Sequence, residues 1–180
     1  MDAASIIDVL APLVPGAAFE PGRSIDFATL YVPAAHLVDT CRALRDADPL
    51  RFTAIIEVTA ADYFPREPRF EVVYHLVSIA RRQRVRLKVR VPGGGSLPTV
   101  QTVWKGAAWL EREVWDMFGI VFVGHPDLRR LLMPEDWEGH PARKDYPVQI
   151  RKAAQTYEPM EISAEEFRAN IERDRVGRTH

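Results

Sequence analysis

Only one cysteine, Cys41, stands in the 180 residues of this chain. That scarcity excludes internal disulfides, cysteine-ligated iron–sulfur clusters and CxxC zinc sites, and it suits a reducing compartment. An excess of either charge is also lacking, since 24 Lys and Arg face 25 Asp and Glu, for a net charge of -1. No global field therefore draws the chain to nucleic acid or to an anionic membrane. No apolar run approaches the roughly 20 residues of a membrane span. The start MDAASIIDVL lacks the basic n-region of a signal peptide, so a soluble, cytoplasmic chain is expected. Catalytic patterns are scarce as well. The GxSxG and SxxK nucleophile motifs are missing, and His36, His75, His125, His140 and His180 show no HExxH or other ligand spacing. The glycine-rich stretch PGGGSLP, Pro92 to Pro98, is followed by no Lys-Ser/Thr and opens no nucleotide fingerprint, so it reads as a loop.

What is present is a clear alternation of elements. Ile6, Ile7, Leu10 and Leu13 suit an amphipathic helix ended by Pro15-Gly16, and Ile25 to Val32 reads as a strand. Pro33 suits the start of a second helix whose Leu37, Cys41 and Leu44 share one stripe, which makes Cys41 an inert core thiol. Three strands follow, Phe52 to Thr59, Phe70 to Ala80 and Arg84 to Val91, joined closely enough at Arg66 to Arg69 and Ala80 to Gln83 for antiparallel pairing. In the last of them Val85, Leu87, Val89 and Val91 point one way and Arg84, Arg86, Lys88 and Arg90 the other, giving a core face and a basic face. From Thr99 to Phe118 the apolar spacing is helical with a break near Gly106, and Gly119 is placed to cap the end.

This order predicts an α+β fold, a two-layer ferredoxin-like sandwich with a mainly antiparallel sheet and Leu37, Leu44, Ile56, Val72, Leu87 and Val114 in its core. Residues 1–119 form the expected core domain. Residues 120–180 form an extended partner-binding segment with a short terminal helix opened by the capping box Ser163-x-x-Glu166. A chain stopped near Gly119 is expected to fold and to lose assembly.

The most informative stretch runs from Glu111 to Pro147 and combines tryptophans with dense charge of both signs, punctuated by Gly and Pro. A solvated tail lacks such aromatics and a core segment lacks such charge, whereas a surface buried against a partner uses both. Glu111, Glu113 and Asp116 could serve as general acid and base. Helical spacing instead favours structural pairing, with Arg112 to Asp116 a salt bridge at i, i+4. Gly124-His125-Pro126 and Gly139-His140-Pro141 read as two similar turns, each followed by arginine. The interface candidates are Glu111, Arg112, Glu113, Asp116, His125, Asp127, Arg129, Arg130, Trp137, His140, Arg143, Lys144, Asp145 and Tyr146. In an extended segment Arg143 and Asp145 share one side, and Arg143 is expected to grip a partner carboxylate with its planar fork while Lys144 points away.

The run WLEREVWDMFGI from Trp109 to Ile120, then Phe122, Gly124 to Arg130 and His140 to Pro147, is similar to the signature of the C subunit of NADH-quinone oxidoreductase, respiratory complex I, the 30 kDa subunit family. Ala60 to Tyr63 and Arg69 to Leu76 resemble the same family, so the likeness covers most of the chain from the second helix onward. Ala142 departs from it where the family commonly has leucine. The resemblance implies a subunit with no cofactor of its own in the hydrophilic arm of a proton-translocating enzyme. There electrons pass from NADH through FMN and the iron–sulfur clusters of neighbouring subunits to quinone. Implied partners are the quinone-site (D) subunit and its neighbours, with Glu111 to Pro147 as the contact surface. The implied location is the cytoplasmic face of the cell inner membrane, reached only through the complex. The chain ends soon after the motif, which implies the form not fused to the quinone-site subunit.

The homologous subunit of a membrane-bound hydrogenase, or of a complex I-like dehydrogenase with another donor, would look the same, because the donor and acceptor sites lie on other chains. A sheet-surface RNA-binding module is an alternative of another class, resting on Arg84, Arg86, Lys88 and Arg90 beside Tyr74 or Phe70. The balanced charge and the missing RNP-type aromatics argue against it.

Overall fold

β5, Gln83–Val91, shows how the alternation becomes architecture. In a computed structural model that describes residues 1–147 and 163–176, Val85, Leu87, Val89 and Val91 of this strand are all buried. β5 lies at the centre of a five-stranded sheet of order β1-β2-β5-β4-β3, with β1 at Glu20–Gly22, β2 at Ala28–Tyr31, β3 at Ala54–Asp62 and β4 at Phe70–Ser78. Within this sheet only the β2–β5 pairing is parallel, so the sheet is mainly antiparallel and the fold is α+β, as expected. Helices α1 (Ala3–Leu10), through Ile6 and Leu10, and α2 (Leu37–Asp46), through Leu37, Cys41 and Leu44, pack into the core together with Ala107 and Val114 of the later helix Ala107–Phe118. Burial pushes the Cys41 thiol well above its ordinary range, which agrees with an inert core residue.

The opposite face is charge-compensated. Arg86 pairs with Asp26 at 2.8 Å, Lys88 with Glu71 at 2.6 Å and Arg90 with Glu20 at 3.1 Å. Arg84 and Arg86 both lie over the Phe27 ring, and Arg90 sits 4.0 Å from the centre of Tyr31. The basic stripe is thus largely neutralised by neighbours within the chain.

Several expectations are corrected. Ile56, placed in the core, is 53% exposed, because the β3–β4 register shifts between Ile55 and Glu57 and breaks the alternation there. The strand expected from Ile25 begins only at Ala28. Ser24 and Asp26 are drawn toward Arg86 in a bend that leaves Ile25 fully exposed. Three short strands have no counterpart in the sequence reading, β1 and the parallel pair β6 (Ser96–Pro98) and β7 (Val121–Val123).

The core does not stop at Gly119. Ile120 and Phe122 are each 1% exposed and belong to the central cluster, and the compact unit runs Met1–Pro147. Residues 120–147 form a strap along the helix Ala107–Phe118. In the second unit, α4 (Ala164–Val176) opens with the expected capping box, Ser163 and Glu166 exchanging hydrogen bonds at both the backbone and the side chains. The rest of the segment expected beyond Pro147 lies outside the described residues.

Candidate functional site

α3, Ala107–Phe118, is the element on which the strap is built. Val114 turns one face to the core, and Gly119 ends the helix in the left-handed conformation at φ 73°, returning its N–H to Trp115 O at 2.8 Å. A side chain at Gly119 would collide with His140 and Arg143, so the glycine serves both the cap and the closeness of the strap.

Asp116 is the centre of the attachment. Its carboxylate is fully buried, with Oδ2 accepting the backbone N–H groups of Leu131, Leu132 and Met133 at 2.9, 2.8 and 3.0 Å and Oδ1 accepting Arg130 at 2.8 Å. Burial alone would push this carboxyl up. The amides of residues 131–133 and the Arg130 guanidinium outweigh it and hold the group below its ordinary value. Arg130 continues to the carbonyls of Trp137 at 2.7 Å and Gly139 at 2.8 Å, closing the strap on itself, and lies over Trp115.

The remaining candidates extend the same pattern. Arg112 donates to the carbonyls of Arg129 and Arg130, both at 2.6 Å, and approaches Asp127 at 3.4 Å. Among the described residues it makes no ion pair with Asp116. The expected i, i+4 bridge yields because both side chains bind the strap that lies over them. His125 accepts the Asp127 N–H on Nδ1, so Nε2 carries the proton that reaches Ala108 O at 2.8 Å. His140 Nδ1 donates to Asp116 O at 3.0 Å, with its ring edge-on to Trp115. Tyr146 donates to Glu138 O at 3.0 Å and stacks on Trp137.

Arg143, expected to grip a partner's carboxylate, donates Nε to Phe118 O within the chain and lies over Phe70. Asp145 does not share that target. It takes both ends of the Arg69 guanidinium, at 2.6 and 2.9 Å, while Arg69 also holds Asp62 at 2.8 and 3.0 Å. Asp62 in turn accepts the Lys144 backbone N–H at 2.9 Å, and the Arg69 guanidinium holds its carboxyl well below the usual range. Asp62 and Arg69 were missed as site residues, because their partners lie more than seventy positions further on. The only signal for them was that both fall inside the family-like segments.

Glu111 stands apart. It faces the core with no exposed surface, accepting Thr99 Oγ1 at 2.5 Å and the Val100 N–H at 2.7 Å. Burial pushes its carboxyl up to about 7. Glu113, Arg129 and Lys144 reach solvent, Arg129 through a two-point pair with Asp127. Beside them Trp109 is 62% exposed, and Val121, Val123 and Leu132 are exposed apolar side chains. No group of residues suited to a metal ion occurs among the described residues, and none of their helices is long and apolar enough to cross a membrane.

A fold of this α+β kind is also found in a chain of a membrane complex. A chain of the membrane-bound sulfane sulfur reductase, an archaeal respiratory membrane complex, superposes with a TM-score of 0.67 at 27% identity, over 81% of this chain and 85% of that one. Residues 30–152 match the family described as the 30 kDa subunit of respiratory-chain NADH dehydrogenase, and the chain belongs to that family. The NADH-quinone oxidoreductase C subunit of Roseiflexus sp. (strain RS-1) is 44% identical over 165 residues, 91% of this chain and 95% of the relative. The C subunit of Roseiflexus castenholzii is 50% identical over 76% of this chain and 79% of its own length, and that of Geobacter sulfurreducens is 51% identical over 67% and 75%.

Proposed function

We propose that this chain is a cofactor-free bracing subunit in the hydrophilic arm of a proton-translocating NADH:quinone oxidoreductase. It holds the quinone-site (D) subunit and its neighbours while electrons pass from NADH through FMN and iron–sulfur clusters on other chains to quinone. It sits peripherally on the cytoplasmic face of the cell inner membrane, attached only through the complex. The carrying observation is how the family-like run is folded. Arg112, Asp116, Arg130, Arg143 and Asp145 are engaged within the chain, so α3 and the strap form a preorganised surface on which Trp109, Val121, Val123 and Leu132 stay open. Preorganised aromatic and aliphatic side chains are what a stable subunit interface uses as anchors. The interface candidates change accordingly. The buried charges shape the surface, and Trp109, Glu113, Leu132 and Lys144 meet the partner.

Trp109→Asp and Leu132→Glu test this. Each should lower the amount of assembled complex on native gels and the NADH-quinone activity of membranes together, by at least about tenfold for the pair, while the melting temperature of the isolated chain stays within about 2 °C. Normal assembly of the double variant would refute the reading. The likeness to the sulfane sulfur reductase chain supports a second reading, in which the same brace serves a membrane-bound hydrogenase or a related complex with another electron donor. Assaying the native complex with NADH separates the two.

A further inference from the structure

Among the described residues four carboxylate side chains are buried, and three of them have a cation. Asp62 has Arg69, Glu71 has Lys88 and Asp116 has Arg130. Glu111 has only neutral donors, the Thr99 hydroxyl and the Val100 N–H. The described elements packed around it supply no positive charge. Cys41 of α2 and Tyr74 of β4 lie within its electrostatic reach, and both are fully buried and uncharged, their own ionisation opposed first by burial and then by Glu111. The Tyr74 hydroxyl is buried without a hydrogen-bond partner. Arg45, which reaches Val103 O just beyond this turn, is engaged by Asp46. On α3 itself Arg112 turns to the strap and Glu113 to solvent. Beyond β7, His125 donates to Ala108 O.

A desolvated carboxylate without a cation is strongly disfavoured and takes up a proton instead. Its position gives that proton a consequence. The Thr99–Val100 turn is held by Glu111 on one side, and on the other the Thr99 N–H donates to Val123 O of β7 at 3.0 Å. We propose that Glu111 carries a proton in the folded chain up to neutral pH, and that losing it loosens the joint between α3, this turn and β7, where the strap begins. The group then acts as a pH-sensitive element in the fold, independent of which partners the chain has.

The test uses the full chain. In carbon-13 NMR the assigned Glu111 carboxyl should titrate around neutral pH. Between about pH 5 and 8 the wild type should lose about 10 °C of melting temperature relative to Glu111→Gln, which mimics the protonated form. The comparison with Glu111→Gln is needed because His75 and His140, held below their ordinary value chiefly by burial, tilt stability the other way in both proteins. Thr99→Val, which removes a donor to the carboxylate, should move the Glu111 midpoint upward. A wild-type midpoint at the ordinary glutamate value of 4.5 overturns the proposal, and that measurement stands even if the glutamine variant does not fold.

Discussion

The sheet, its strands lying within residues 20–91, and the strap at residues 120–147 belong to one compact unit, yet different physics holds each in place. In the sheet, Leu30, Val72, Tyr74, Leu76 and Leu87 are almost wholly removed from water, and stability grows with each methylene buried. In the strap beyond Phe122, only Leu128 packs partly against the core, and the backbone is held by side chains of α3 and of the β3–β4 hairpin. Burial spreads a load over many weak contacts. Side-chain to backbone bonding concentrates it on a few groups whose loss orphans several partners at once.

Three changes break or sharpen that contrast. The largest effect is expected from a chain stopped at Gly119, which removes Ile120 and Phe122 from the core and the partner strand of β6. Two deleted core side chains cost on the order of 4–8 kcal/mol, comparable with the stability of a whole domain. Loss of near-ultraviolet circular dichroism is expected, which reverses what sequence alone suggested for this truncation.

Next comes Asp116→Ala set against Leu87→Ala. The first strands the Arg130 cation and three amides, a loss of about 3–5 kcal/mol, and the second leaves a cavity costing about 2–5 kcal/mol. Their totals are similar and their distribution is not. Hydrogen exchange should rise mainly in residues 120–147 for Asp116→Ala and across the whole sheet for Leu87→Ala. Uniform loss in both would show that strap and sheet open as one.

The smallest effect is expected from mild acid. Asp62 and Asp116 have folded-state values below their ordinary 3.8, so their contribution is complete above that value and fades as pH falls through it. At about pH 3 Asp62 loses about 1 kcal/mol, and Asp116 loses stability in the same direction. Strap amides should therefore exchange faster at that pH than sheet amides do once intrinsic rates are corrected. The Glu111 effect runs with the opposite slope, at higher pH.

The two regions also differed in how far they could be read from sequence. The alternation of β5 and the stripe Leu37, Cys41, Leu44 are periodic, and period is what burial on one face leaves in a sequence. The capping box at Ser163 and the glycine cap at 119 are local and were equally legible. A β-bulge defeated Ile56, because one extra residue reverses every later facing. The strap leaves no period, since amides of any residue type can bind Asp116. Its charge density was plain, while its partners were not. The Arg112–Asp116 pairing followed a rule for isolated helices that tertiary contacts overrode. Arg69 and Asp145 lie 76 positions apart, and no local pattern spans that distance.

That separation also sets an order in time. A ribosome adding about 5–20 residues per second needs several seconds to go from Arg69 to Asp145. Asp62 and Arg69 meet within one hairpin whose residues are all made before Asp145, with one face of the guanidinium lying over Phe64. The end of the strap thus closes onto a pair that is local to the hairpin, and this closing step resembles the binding of a tethered ligand more than the collapse of a chain.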